Sequence, residues 1–232
     1  LRSEIECEGV SFRGSSDTEV ILRLYKKYGN DFLSKLNGIF ALSIWNKRDK
    51  NLLIARDHFG VKPLYYTNTN KNFTFSSEIK AILELKSNTF NEIDYTSIIS
   101  HLTYMWSPGP NTMFENIKKL EPGTAMILKD SKIIKKWQYY DISFDNVNKK
   151  ISQEDAIFKT RSLIKEAVKR QLISDVPVGA FLSGGLDSTS IVAFAKEHYI
   201  PNNLETYTID FEGEAKSIEG SPGDIFYAKR AA

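Results

Sequence analysis

The chain has 232 residues, 41% of them hydrophobic and 26% charged, with a formal net charge of +2. That is an ordinary composition for a globular chain, with no charge excess that would point to nucleic acid or an anionic membrane surface. No apolar run approaches the roughly 20 residues of a membrane span, and the single cysteine, Cys7, excludes an internal disulfide and suits a cytoplasmic location. The length allows one large or two small domains. No secretory signal pattern opens the chain. It starts within what reads as a helix and stops where another reads as beginning, so it is expected to be an internal fragment.

In chain order, residues 1–7 suit the end of an amphipathic helix. Ser16-Asp17-Thr18-Glu19 spells a capping box ahead of Val20, Ile21, Leu22, Leu24 and Tyr25, and Gly29 is a natural stop. As a first-turn acid, Asp17 favours the helix dipole whatever else it does. Residues 38–46 read as a strand buried on both faces, 47–51 as a turn and 52–56 as the returning strand. After a loop at 56–63, strands at 64–66 and 73–75 flank a polar turn, and Ser76-Ser77-Glu78 caps a helix reaching about Leu85. Residues 95–104 are a further helix, 107–111 an irregular loop, and 124–128 with 133–139 a last hairpin. Successive hairpins build antiparallel sheets, so this part is α+β.

The tract 141–150 is polar and without periodicity, and the linker is placed at residues 144–151. Ser152-x-x-Asp155 opens a long helix with Ile157, Leu163, Ile164 and Leu172 on its apolar side. A short apolar run, 178–182, reads as a buried strand and stops at Ser183-Gly184-Gly185-Leu186-Asp187-Ser188. An apolar-periodic helix starts at Thr189, and residues 206–211 read as another strand. Strand, helix, strand implies a parallel α/β sheet with its ligand at the strands' C-terminal ends.

Glycines between a strand and a helix allow close backbone approach, with amide N–H groups and the helix dipole favouring an anion. Ser183 and Ser188 add hydroxyls. Asp187 would repel phosphate unless a metal ion lies between them, which makes this a magnesium-assisted polyphosphate site. The alternative is a glycine-rich turn that only connects strand to helix. The spacing and the missing lysine exclude the GxxxxGK[ST] nucleotide loop.

The loop resembles the Ser-Gly-Gly-x-Asp-Ser loop of the ATP pyrophosphatases. Together with Ser16-Asp17-Thr18-Glu19-Val20, Arg56-Asp57-x-Phe59-Gly60-Val61-Lys62-Pro63-Leu64-Tyr65, Ser77-Glu78-Ile79-Lys80-Ala81, Leu120-Glu121-Pro122-Gly123 and Asp175-Val176-Pro177-Val178-Gly179, it is similar to the glutamine-hydrolysing asparagine synthetases. The resemblance runs over nearly the whole chain in the family's order. It implies a glutaminase domain of the N-terminal-nucleophile type at 1–143 and the start of an ATP-pyrophosphatase synthetase domain at 152–232, both incomplete. It further implies glutamine, aspartate and ATP as substrates, Mg2+ as the cofactor ion, no nucleic acid or membrane partner, and allows a homodimer.

By that resemblance Asp17 holds the glutamine amino group. Leu182, Ser183, Gly184, Gly185, Asp187, Ser188 and Ile209 surround ATP, and Asp187 is a magnesium ligand. The nucleophilic cysteine is expected upstream of Leu1. Cys7 lies only ten positions before Asp17, inside a helix, and reads as structural. His58, His101 and His198 are too scattered for a metal site. Alternatives are an amidotransferase acting on another carboxylate, such as a surface-polysaccharide sugar acid, a β-lactam-synthetase-like enzyme, a non-catalytic binding fragment, or an RNA-thiolating pyrophosphatase.

Overall fold

A computed structural model describes residues 1–69, 72–85, 92–145, 150–199, 204–210 and 224–232. The chain divides into two units, Leu1–Phe144 and Asp145–Ala232.

In the first unit, helices α1 (Arg2–Cys7) and α2 (Asp17–Tyr28) and a 3-10 turn (Gly29–Lys35) precede strands β1 (Ala41–Asn46) and β2 (Asn51–Arg56). Then come β3 (Tyr65–Asn68), β4 (Phe73–Ser76), α3 (Ile79–Leu83), α4 (Tyr95–Tyr104), β5 (Lys118–Lys119), β6 (Thr124–Lys129) and β7 (Lys132–Gln138). One antiparallel sheet has the order β1-β2-β6-β7 and the other β4-β3-β5.

Alternation along β2 decides the layering. Leu53 and Ala55 point to one face and pack with Leu24, Phe32 and Leu33 of the helical layer. Ile54 points to the other and packs with Leu64, Leu120 and Met126, against which Tyr66, Phe73 and Phe75 of the second sheet lie. Ile82 of α3, with Ile117, covers that sheet's far side beside Tyr65. The order is helix, sheet, sheet, helix. Leu53 and Ile54, each 1% exposed, contribute about 2 kcal/mol apiece by burial.

The strand buried on both faces is therefore β2, and the expectation that residues 38–46 fill that role fails. β1 is an edge strand, and its Trp45 is 56% exposed. Two equally apolar neighbours in a hairpin cannot be ranked by composition, because their place in the sheet depends on the distant β6. The hairpin β6–β7 turns through Asp130 and Ser131, both at positive φ, and α4 matches its predicted bounds, with Asp94 accepting from Ser97 N–H at 3.1 Å.

The second unit holds α5 (Gln153–Gln171), β8 (Gly179–Phe181), α6 (Leu186–His198), β9 (Glu205–Tyr207) and α7 (Asp224–Ala231). β8 and β9 are parallel, as strand–helix–strand order predicts. The Ser152 hydroxyl caps Asp155 N–H at 3.1 Å. The apolar stripe of α5 contains no buried residue, and the helix meets α6 through a Lys165–Glu197 ion pair. One reading needs correction. The strand at 178–182 is half-buried, since side chains alternate: Leu182 goes into the interior while Phe181 is exposed. Phe211 of the predicted second strand lies outside the described residues.

Candidate functional site

In the first unit, Ser16 is the N-cap of α2, its Oγ accepting from Thr18 N–H at 3.1 Å. Glu19 does not complete the predicted capping box. Its carboxylate accepts from Arg13 N–H and Gly14 N–H, each at 3.1 Å, and pairs with Arg23 at 3.2 Å. The Arg13 amide leads in lowering the Glu19 pKa. Asp17 stands exposed in the first turn with no hydrogen bond to its carboxylate among the described residues. It lines a cleft of about 650 Å3 with Thr18, Phe40, Ser43, Lys62, Pro63 and Ser77.

Lys62 and Pro63 belong to a loop held from within by the last residue of β2 and the one after it. The Arg56 guanidinium donates to Lys62 O at 2.7 Å, Leu120 O at 2.6 Å and Gly60 O at 2.5 Å. Burial lowers the Arg56 pKa, opposed by the charge of Asp57. The Asp57 carboxylate, 1% exposed, accepts from Phe59 N–H at 3.2 Å and from Val61 and Lys62 N–H at 2.9 Å. His58 packs edge-on against Tyr140, Tyr139 and Phe40 with ring centroids 4.5, 5.5 and 6.2 Å away, which gives it a packing role.

In the second unit the loop runs from Leu182, whose N–H donates to Tyr207 O at 2.8 Å and whose carbonyl accepts from Thr208 Oγ1 at 2.6 Å. The Ser183 and Ser188 hydroxyls lie 3.0 Å apart, and Ser188 Oγ donates to Gly185 O at 3.2 Å. Gly184 has φ +79°. Gly185 is the N-cap of α6, and a β-carbon on it would meet only Ser183 Oγ, at 3.4 Å. The helix begins at Leu186 rather than Thr189, so Asp187 and Ser188 sit in its first turn.

The structure thus brings Ser183, Gly184, Gly185, Asp187 and Ser188 together at the C-terminal end of β8, with Leu182 beneath. Ile209 follows β9 and is 67% exposed. Cys7 ends α1 exposed, so the expectation of a structural cysteine is not met by burial, and it is not among the residues lining the Asp17 cleft. Sequence reasoning gave Arg56 and Asp57 no role. Two adjacent opposite charges at the end of an apolar strand, just before a Phe-Gly turn, are the signal that could have singled them out.

The chain belongs to the glutamine amidotransferase domain family, whose model matches residues 1–140, and residues 159–232 match the asparagine synthase family model. It is 39% identical over 218 residues to glutamine-hydrolysing asparagine synthetase 1 of Bacillus subtilis, covering 94% of this chain and 33% of the relative. It is 37% identical to putative glutamine-hydrolysing asparagine synthetase 2 of Methanocaldococcus jannaschii, covering 86% of this chain and 39% of that one. Amidase chry2 of Gibberella zeae is 32% identical, over 92% of this chain and 32% of its own length. The chain spans about a third of these curated relatives. Among solved structures, the glutamine phosphoribosylpyrophosphate amidotransferase of B. subtilis complexed with ADP and GMP matches with TM-score 0.44 and 17% identity, over 94% of this chain and 47% of that one.

Proposed function

We propose that this chain carries parts of two cooperating sites of a cytoplasmic, ATP-dependent, glutamine-hydrolysing amidotransferase that converts aspartate to asparagine. In the first unit Asp17 binds the glutamine α-amino group, and amide hydrolysis releases ammonia. In the second, a β-carboxylate oxygen of aspartate attacks the α-phosphorus of ATP and pyrophosphate leaves. Ammonia then attacks the acyl carbon of the β-aspartyl-adenylate, and AMP leaves. Adenylation is needed because a carboxylate is otherwise a poor acyl donor, and internal transfer keeps ammonia an unprotonated nucleophile.

The residues of the loop fit a polyphosphate. Gly185 has open space around its α-carbon apart from Ser183 Oγ, and its N–H makes only a long 3.4 Å bond to that oxygen. The Ser183 and Ser188 hydroxyls and the first turn of α6 complete the set of donors. Asp187, in that first turn, supplies a carboxylate for a divalent ion that phosphate oxygens would also bind. A bound Mg2+ would neutralise phosphate charge there.

The observation that carries the proposal is the order on one chain: an amidotransferase-domain match with Asp17 in its cleft, then an asparagine-synthase match containing the Ser-Gly-Gly-Leu-Asp-Ser turn. Among the described residues no helix is long and apolar enough to cross a membrane. The test is a product count in the full-length protein given glutamine, aspartate and MgATP. Asparagine, glutamate, AMP and pyrophosphate should appear in equal amounts; ADP in place of AMP would count against adenylation. A second reading takes another carboxylate as acceptor; one similar protein is named an amidase rather than an asparagine synthetase. AMP formation that requires a carboxylate other than aspartate would establish it.

A further inference from the structure

We infer that Asp57 is a positioning residue of the glutamine site, setting through the Lys62 N–H the wall that Lys62 and Pro63 give to the Asp17 cleft. The inference rests on reading that cleft as the glutamine site.

A carboxylate 1% exposed is costly to bury unless its oxygens are hydrogen-bonded. Among the described residues, the hydrogen-bond partners of its carboxylate are all backbone N–H groups of one short loop, at 2.9–3.2 Å. Closing a loop does not require a buried charge, because a turn with backbone bonds alone will do it. What the charge adds is a fixed place for one residue. Lys62 has both backbone polar atoms claimed by adjacent side chains: its N–H by Asp57 and its carbonyl by Arg56 at 2.7 Å. Those two side chains come from the end of β2, whose Leu53, Ile54 and Ala55 are the most buried run in the first unit's sheets. The cleft wall therefore inherits the rigidity of the core. Gly60 shows how close the fit is: at φ +65°, its missing β-carbon would lie 2.9 Å from Arg56 Cζ.

The substitution Asp57→Asn tests a single atom. Oδ1 receives two N–H groups and Oδ2 one, so the amide oxygen keeps the Oδ1 side and the new NH2 faces Lys62 N–H. Two donors then oppose each other at the wall, while the rest of the loop stays bonded.

In the full-length protein, steady-state glutamine hydrolysis by Asp57→Asn should show a KM raised about tenfold with kcat within about twofold, and thermal melting within a few degrees of wild type. An unchanged KM, or kcat falling with KM unchanged, would overturn the inference, since a merely structural residue alters the folded fraction and not the KM. If Asp57→Asn does not fold, Arg56→Lys reads the same wall from the Lys62 carbonyl and should give the same split; its absence would overturn the inference equally. A wild-type protein that hydrolyses no glutamine would overturn the reading of the cleft itself and the inference with it, and needs no variant to detect.

Discussion

Gly184 and the backbone of Tyr227 lie in closer contact than any other residue type would allow at position 184. A β-carbon there would sit 2.4 Å from Tyr227 C and 2.5 Å from Ala228 N, and φ is +79°. The backbone of α7 thus forms one side of the loop. Gly184→Ala would have to displace either α7 or the loop, in addition to a backbone cost of about 1–2 kcal/mol. Isothermal calorimetry on the full-length protein should show MgATP affinity falling by more than tenfold. Unchanged affinity would mean that phosphate is not held at this turn.

Asp187 sits in the first turn of α6, where an unneutralised carboxylate opposes a phosphate. If it holds the cation, Asp187→Asn abolishes ATP-dependent synthesis while glutamine hydrolysis continues. Assays of both activities on one preparation check this, and retained synthesis would remove Asp187 from the metal site.

Asp17 carries the complementary prediction. Its carboxylate is open to the cleft, so Asp17→Ala should lose most use of glutamine while synthesis from free ammonia continues. A helix-dipole role alone is worth about 0.3–1 kcal/mol and would weaken both nitrogen sources together. The ratio of the two rates separates the cases.

The Ser-Gly-Gly-Leu-Asp-Ser turn stood out in the sequence because glycine, hydroxyl and carboxylate at fixed spacing between a strand and a helix form a distinctive pattern, and the structure places it between β8 and α6. The hairpins and α4 followed from local turn and cap chemistry. What could not be read was set by distant contacts. Which of β1 and β2 is central depends on β6, some seventy residues on by the pairing of Leu53 with Ile127. The clamp of Arg56 reaches Leu120 O, 64 residues away. Glu19 was misassigned because Arg13 and Gly14, outside the capping pattern, offer it better-placed N–H groups. The apolar stripe of α5 was read correctly as a pattern, but a periodic face does not say which partner covers it.

Tyr139 gives a pH test of the first unit. Its hydroxyl donates to Arg56 O at 2.6 Å, and burial, with help from Asp57, raises its pKa well above the usual tyrosine value. The folded state therefore holds the phenol proton more tightly than the unfolded chain does. That stabilisation is fully present below about pH 10 and is lost as pH rises from there through the raised value. Tyr139→Phe should cost about 1 kcal/mol near neutrality and lack this alkaline loss, so the two proteins' urea midpoints converge above pH 10. Parallel curves would mean that the phenol ionises equally in both states.

The proposed passage of nitrogen from one site to the other is tested most directly with amide-15N glutamine, aspartate and MgATP, supplied to the full-length protein in excess unlabelled ammonium. Internal passage of ammonia predicts asparagine that keeps most of the label. Asparagine with the isotopic composition of the surrounding ammonium, or labelled ammonia without any amide product, would contradict it.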